Sequence, residues 1–230
     1  MKKVEIEMKL SHFKLFKDLS DHDLEPFLEI IQARFYKQKM YVYMQNDSQD
    51  KLFFLDSGKV KICKTDLSGK EQILYILESG DMFPQTVFFK DGKHETHAEV
   101  MEDARIITFP RAQFEEILLT IPDLCARLFK LMGENVNDLQ KRLEEQVLHN
   151  TYEQIILLLI RLCKSNGIKI GEQYLLTTHF TNKELANMIG TSRETVSRTI
   201  NHLKKKNYII SSTKSLYLVN RIALKQEICY

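Results

Sequence analysis

Between Arg193 and Arg198 the chain reads Arg-Glu-Thr-Val-Ser-Arg, and four of these side chains carry chemistry suited to the edges of base pairs. An arginine guanidinium donates two parallel hydrogen bonds to guanine, a glutamate accepts from the cytosine amine, and a serine hydroxyl adapts to either partner. Arg193, Glu194, Ser197 and Arg198 stand at i, i+1, i+4 and i+5, a spacing that gathers them at the N-terminal end of one exposed helix face. Val196, Ile200 and Leu203 form an apolar stripe on the opposite side, so the same helix has a face to bury.

That helix needs a support. Thr181 lies three residues before Glu184, with Phe180 outside and Leu185 inside, a capping box with a hydrophobic staple that starts a preceding helix. Leu185, Met188 and Ile189 give it a buried side, and Gly190 supplies the left-handed turn that ends it. Either Ser192 or Thr191 caps the second helix. Capping by Thr191 would draw Glu194 into a second capping box and occupy its carboxylate; capping by Ser192, the favoured reading, leaves it free. The unit is a helix–turn–helix, whose competing reading is a solvated amphipathic helix pair. Charge favours DNA: residues 181–210 carry Lys183, Arg193, Arg198, Lys204, Lys205 and Lys206 against only Glu184 and Glu194, while the whole chain is at +2.

Ser-Arg-Glu-Thr-Val-Ser-Arg, followed by an apolar helix and a short hairpin, resembles the recognition helix of the Crp/Fnr superfamily of bacterial transcription regulators. The rest of the chain fits that resemblance. From Ala33 to Phe109 short aromatic and β-branched runs, at 41–44, 51–55, 59–64, 72–77 and 104–109, alternate with turns at Asp56-Ser57-Gly58, Leu67-Ser68-Gly69 and Ser79-Gly80-Asp81. The pattern predicts a small antiparallel barrel or roll. Its glycine rhythm resembles the cyclic-nucleotide-binding β-roll of the same superfamily. There the family's phosphate cassette would supply Gly-Glu and then Arg beside a small hydroxyl residue; this chain has Pro84-Gln85 and Glu95-Thr96. Proline removes a backbone donor and glutamate reverses a charge, so cyclic AMP is not expected to bind. Gln85 and Thr96 are the candidate effector-pocket residues. The effector is unknown, and no cofactor is expected. His94 and His97 are spaced as H-x-x-H with no further ligand cluster, and no metal is assigned to them.

Ser20-Asp21-His22-Asp23 reads as the cap of a helix carrying Leu24, Phe27, Leu28 and Ile31, with Pro26 in its opening turn. Arg111 to Thr120 forms a short helix, and Pro122-Asp123 opens the longest one. Cys125, Met132 and Leu139 fall in one heptad row, and Phe129, Val136 and Leu143 in the other, an a/d seam suited to a second copy of the chain. Leu124, Leu128, Leu131 and Val147 provide another face for packing within the subunit. Leu148 to Thr151 is the expected hinge, where Asn150 caps a new helix with Glu153. Ile155, Ile156, Leu158, Leu159 and Leu162 form the core of that helix, which ends at Ser165-Asn166-Gly167. A strand pair over 168–176 and a wing over 208–219, turning at 211–214, complete the unit.

The fold class is therefore α+β: a β-roll sensor domain at 1–121, a dimerisation helix and hinge at 122–149, and a winged helix–turn–helix domain at 150–230. With 230 residues and 43% apolar composition, two modest cores are affordable. No run of about 18 apolar residues predicts a membrane span, so a cytoplasmic protein with no membrane partner is expected. Cys63, Cys125, Cys163 and Cys229 form no C-x-x-C pair; buried thiols are the default, with Cys229 the one candidate for redox chemistry.

The leading function is a homodimeric, sequence-specific regulator on a pseudo-palindromic double-stranded operator, not controlled by cyclic AMP. Its DNA contacts are assigned to Arg193, Glu194, Ser197, Arg198, Thr181, Thr191, Ser192, Lys204 and Lys205. The resemblance implies an activator that contacts RNA polymerase and half-sites like TGTGA or TTGAT, with the choice between these left open. The alternative is a small-molecule or redox-sensing module with a weak or degenerate DNA-binding domain. No nucleophile–base pattern, metal-ligand run or phosphate-cradling glycine loop points to catalysis.

Overall fold

The two longest strands of the N-terminal half pair with each other because each has apolar residues on both faces. In this computed structural model, which describes residues 10–88, 92–212 and 217–228, β3 (Lys51–Thr65) runs antiparallel to β6 (His97–Pro110), from Lys51 opposite Pro110 to Cys63 opposite His97. Successive side chains of a strand point to opposite faces. Leu52 and Phe54 accordingly enter one core, and Phe53 and Leu55 another. The turn expected at Asp56-Ser57-Gly58 is absent, and the two runs either side of it form one strand. Gly58, at φ +88°, instead sits in a stretch of register shifts where the backbone presses on β6; a Cβ there would lie 2.6 Å from Ala104 Cα. A bulge and a turn both call for this residue type, which is why the sequence did not separate them.

β1 (Gln32–Tyr36) and β2 (Tyr41–Tyr43) also pair with β6, while β4 (Glu71–Leu77) and the short β5 (Met82–Phe83) join β3, giving a six-stranded antiparallel roll. The strand at β1 was not predicted. Four of its five residues are exposed, so it shows no apolar alternation. Inside the roll Tyr43 and Phe83 flank Phe53, with ring centroids 5.7 and 5.4 Å away. On the outer face α1 (Asp21–Ile30), capped by Ser20 accepting from the Asp23 amide, and α2 (Arg111–Thr120) cover the sheet. Phe16, Phe27, Phe54, Phe109 and Phe114 meet there edge-on or tilted, at centroid distances of 5.1 to 6.3 Å. Such pairs add about 0.5–1.5 kcal/mol each beyond the area they bury.

α3 (Pro122–Leu148) is continuous over 27 residues. Leu124 and Leu128 are buried against the roll with Leu131 partly so, as expected of the inward face. Val147 departs from that expectation: it is 71% exposed, as is Leu148 at 68%. Contacts divide the chain into one unit of residues 1–70 and 74–137 and a second of 71–73 and 138–230.

In the second unit, α4 (Thr151–Ser165) begins with the expected capping box: Asn150 Oδ1 accepts from the Tyr152 and Glu153 amides, and Glu153 accepts from the Asn150 amide. Ile155, Ile156, Leu158, Leu159 and Leu162 are all buried. β7 (Gly167–Ile170) and β8 (Gln173–Leu176) form a hairpin that continues through β10 (Tyr217–Val219) to β9 (Ile209–Ser211) as a four-stranded sheet. The wing hairpin is thus formed, with Val219 opposite Ile209; part of its predicted turn, Thr213 and Lys214, lies outside the described residues, as does Cys229. A final helix, α7 (Arg221–Ile228), was not predicted. Its sequence signal is Asn220, whose side chain accepts from the Ala223 amide to cap a helix that buries only Leu224.

Candidate nucleic-acid interface and effector cavity

α5 (Asn182–Ile189) starts at the capping box of Thr181 and Glu184, with the Glu184 amide 3.2 Å from Thr181 Oγ1 and the Thr181 amide 2.8 Å from Glu184 Oε2. The Thr181 hydroxyl also donates to Glu184, so the hydroxyl and amide of this candidate DNA contact are already engaged in the box. Gly190, at φ +86°, turns the chain, and its amide closes the helix on Ala186. A substitution with a Cβ would be strained there by the dihedral, although the space is open.

α6 (Arg193–Lys205) follows after three residues, Gly190, Thr191 and Ser192. Ser192 is its cap: Oγ accepts from the Thr195 amide at 3.1 Å and hydrogen-bonds the Thr195 hydroxyl at 2.9 Å. Thr191 is half-buried and its amide donates to Ala186, so no second capping box draws in Glu194. Val196, Thr199, Ile200 and Leu203 are buried. Arg193, Glu194 and Arg198 are exposed and Ser197 is half-buried on the helix that carries them. Arg198 Nε donates to the Glu194 main-chain oxygen, at 3.4 Å, and not to its carboxylate. The carboxylate faces solvent, as an acceptor for a base amine requires.

The basic run at the other end of α6, about 18 Å along the axis from Arg193 at 1.5 Å per residue, divides into three roles. Lys204 lies over the Tyr217 ring at 5.2 Å, on the wing strand. Lys205 is exposed. Lys206 does not belong to a free phosphate-binding run: its ammonium is 2.5 Å from Glu227, which also accepts from the Tyr152 hydroxyl at 2.9 Å. The pairing raises the Lys206 pKa and lowers that of Glu227. Glu227 therefore joins the start of α4, the end of α6 and α7. Sequence reasoning missed this anchor because its partners are 21 and 75 residues away.

Four residues of the predicted dimer seam expose apolar surface: Phe129 is 72% exposed, Val136 53%, Leu139 48% and Leu143 65%. Cys125 and Met132 are partly buried against the subunit's own roll, and the Cys125 thiol donates to the Leu118 carbonyl. They are shared between the two faces of α3.

Within the roll, Gln85 and Thr96 line one cavity of about 430 Å³. Gln85 opens the 3-10 turn Gln85–Phe88, and its amide donates to the Met82 carbonyl at 2.9 Å. Thr96 Oγ1 is 3.5 Å from the Tyr43 hydroxyl. Burial raises the Tyr43 pKa to about 12, only partly opposed by the bond to Thr96. Glu95 is not a bare charge: it pairs with Lys64 at 3.6 Å, both side chains about half exposed. His94 and His97 have different ring neighbours. His94 stacks on Tyr43 with ring centroids 3.7 Å apart, whereas His97 meets Tyr41 edge-on at 5.6 Å. Desolvation lowers the His94 pKa against the opposing field of Asp47 and Asp50.

Comparison with known proteins matches both halves. Residues 33–120 fit the family model of a cyclic nucleotide-binding domain, and residues 153–227 that of a Crp-like helix-turn-helix domain. The anaerobic regulatory protein of Bacillus subtilis is 27% identical over 214 residues, covering 92% of this chain and 90% of its own. The cyclic AMP receptor protein of Thermus thermophilus is 25% identical, covering 94% and 96%. Among solved structures, FixK2 from Bradyrhizobium japonicum shares the fold at a TM-score of 0.75 and 16% identity, over 86% of this chain and 96% of that one.

Proposed function

The chain belongs to the Crp/Fnr family of transcription regulators and is not an enzyme; from that premise we propose that it works as a homodimer on a pseudo-palindromic operator, independently of cyclic AMP. The observation that carries the reading is the pairing of a capped, solvent-facing Arg193–Glu194–Ser197–Arg198 surface with an unpartnered apolar seam along α3. Each subunit sets α6 in a major groove. Arg193 and Arg198 take guanine O6 and N7, Glu194 takes a cytosine amine, and Ser197 takes a base or nearby phosphate. Thr191, Ser192, Lys204 and Lys205 face the flanking phosphates, while Thr181, both of whose donors serve Glu184, positions the start of α5. Two-fold symmetry of the protein then requires half-sites about one helical turn, ~34 Å, apart. The N-terminal roll carries the effector cavity and α3 links it to the DNA-binding unit beyond the hinge at Leu148–Thr151. Activation through contact with RNA polymerase is assigned on family likeness.

Enrichment of random duplexes on the protein tests the reading. The expected product is an inverted repeat of G·C-containing half-sites; sequences without two-fold symmetry, or no enrichment over bulk DNA, would refute it.

Independence from cyclic AMP is supported by the cavity itself. Pro84 has no N–H to offer a phosphate, the Gln85 amide is spent on Met82, and no arginine lines the cavity among the described residues. Calorimetry with cyclic AMP is expected to give no saturable heat at micromolar concentrations, and the mobility shift of the selected duplex is expected to be the same with and without it. Micromolar binding, or a shift that depends on the nucleotide, would contradict the assignment.

A further inference from the structure

The cavity of the β-roll is apolar at its floor and charged only at its rim. Ile62, Leu77 and Phe83 supply the floor. Four polar side chains of the lining have partners: Gln49 donates to the Thr86 hydroxyl at 3.2 Å, Gln85 to the Met82 carbonyl, and the Tyr43 and Thr96 hydroxyls face each other. Burial raises the Tyr43 pKa to about 12 and lowers that of the His94 imidazole. Among the described residues, the charges of the lining are Lys64, Lys93 and Glu95, all exposed. Glu95 offsets Lys64, which leaves Lys93 as the surplus charge among the described lining residues. At about 430 Å³ the space lies within the range of small-molecule sites, where an apolar lining holds the body of a ligand and a few polar groups fix its orientation.

We propose that this cavity binds a small, largely apolar carboxylic acid, with its hydrocarbon or aromatic body over Phe83 and Leu77 and its carboxylate at the rim between Lys64 and Lys93. The inference rests on the reading of the roll as the regulator's sensor. Binding exchanges one carboxylate for another: the ligand takes the Lys64 ammonium from Glu95, and Glu95 turns to solvent. A cyclic nucleotide makes a different demand, because its phosphate needs donors within the cassette and not at the rim. A neutral ligand of the same shape would gain the apolar contacts without the charge, and a cation would meet Lys64 and Lys93 as like charges.

Titration calorimetry on the full-length protein with 3-phenylpropionate, 3-phenylpropanol and 3-phenylpropylamine separates these cases. The acid is expected to bind saturably, the alcohol at least tenfold more weakly, and the amine not at all. Lys64→Gln and Lys93→Gln, both outside the core, are expected to weaken the acid severalfold and leave the alcohol unchanged, while Glu95→Gln tightens the acid by releasing Lys64. Absence of saturable binding by the acid, equal binding of acid and alcohol, or indifference to both lysine substitutions would overturn the proposal. Operator binding by the same preparations without added acid tests the regulator reading separately, so failure of the ligand assignment cannot be mistaken for failure of DNA recognition.

Discussion

Leu139→Glu is expected to convert the protein to a folded monomer that no longer holds its operator. In the single chain Leu139 is 48% exposed, so a glutamate there can stay hydrated and the helix keeps a good helix former. In a dimer the same position is the centre of the seam formed by Phe129, Val136, Leu139 and Leu143. Two symmetry-related carboxylates would then be desolvated without partners, at a cost of several kcal/mol. Each ~1.4 kcal/mol is tenfold in association, so the dimer should weaken by a hundredfold or more. Sedimentation should report the monomer mass with the far-ultraviolet dichroism of the parent, and operator affinity should fall with it, because one subunit then holds only one half-site. An unchanged dimer would exclude this interface, and a variant lacking helical dichroism would show that Leu139 serves the fold of the subunit.

Arg198→Ala is expected to cost roughly 1–3 kcal/mol per half-site and to relax selection at one base pair. The side chain is exposed on a helix whose cap and buried stripe do not involve it, so the loss should appear in recognition and not in stability. In the free protein Arg198 rests on the Glu194 carbonyl, and binding must turn it outward to guanine. Lys205→Ala makes the contrasting control. It should weaken all duplexes alike and reduce the slope of log affinity against log salt by about one per subunit, since it removes a phosphate contact. Lys206→Ala is a different kind of change, because Lys206 ties the end of α6 to Glu227 and should lower the stability of the DNA-binding unit as well. If duplexes selected by the Arg198→Ala protein matched those of the parent at every position, the recognition face would be misassigned.

The local features were the legible ones. Capping boxes at Thr181 and Asn150, the turn at Gly190 and the apolar stripe of α6 depend on residues within one or two turns of each other, so the sequence displays them directly. The β-roll was legible as a class of fold but not in its connections. Gly58 permits a turn and a bulge equally, and only the approach of Ala104 from a strand 46 residues later decides between them. β1 was hidden because an edge strand with exposed residues carries no alternation, and α7 because its one buried residue, Leu224, makes no stripe. At the candidate site, the placement of Arg193, Glu194, Ser197 and Arg198 on one capped helix was readable from type and spacing. What holds Arg198, and what ties Lys206 back onto the domain, were not, because a main-chain acceptor and the distant Glu227 leave no local signature.

The central claim, a two-fold dimer reading two half-sites on one face of the duplex, is tested most directly by the mass and strength of the complex on three forms of the selected operator. Sedimentation should find two chains on the intact duplex. A duplex with only one half-site should bind at least a hundredfold more weakly, and insertion of five base pairs between the half-sites, which turns them to opposite faces of the helix, should reduce binding to the same level. One chain per duplex, or affinity that ignores the five-base-pair insertion, would contradict the account.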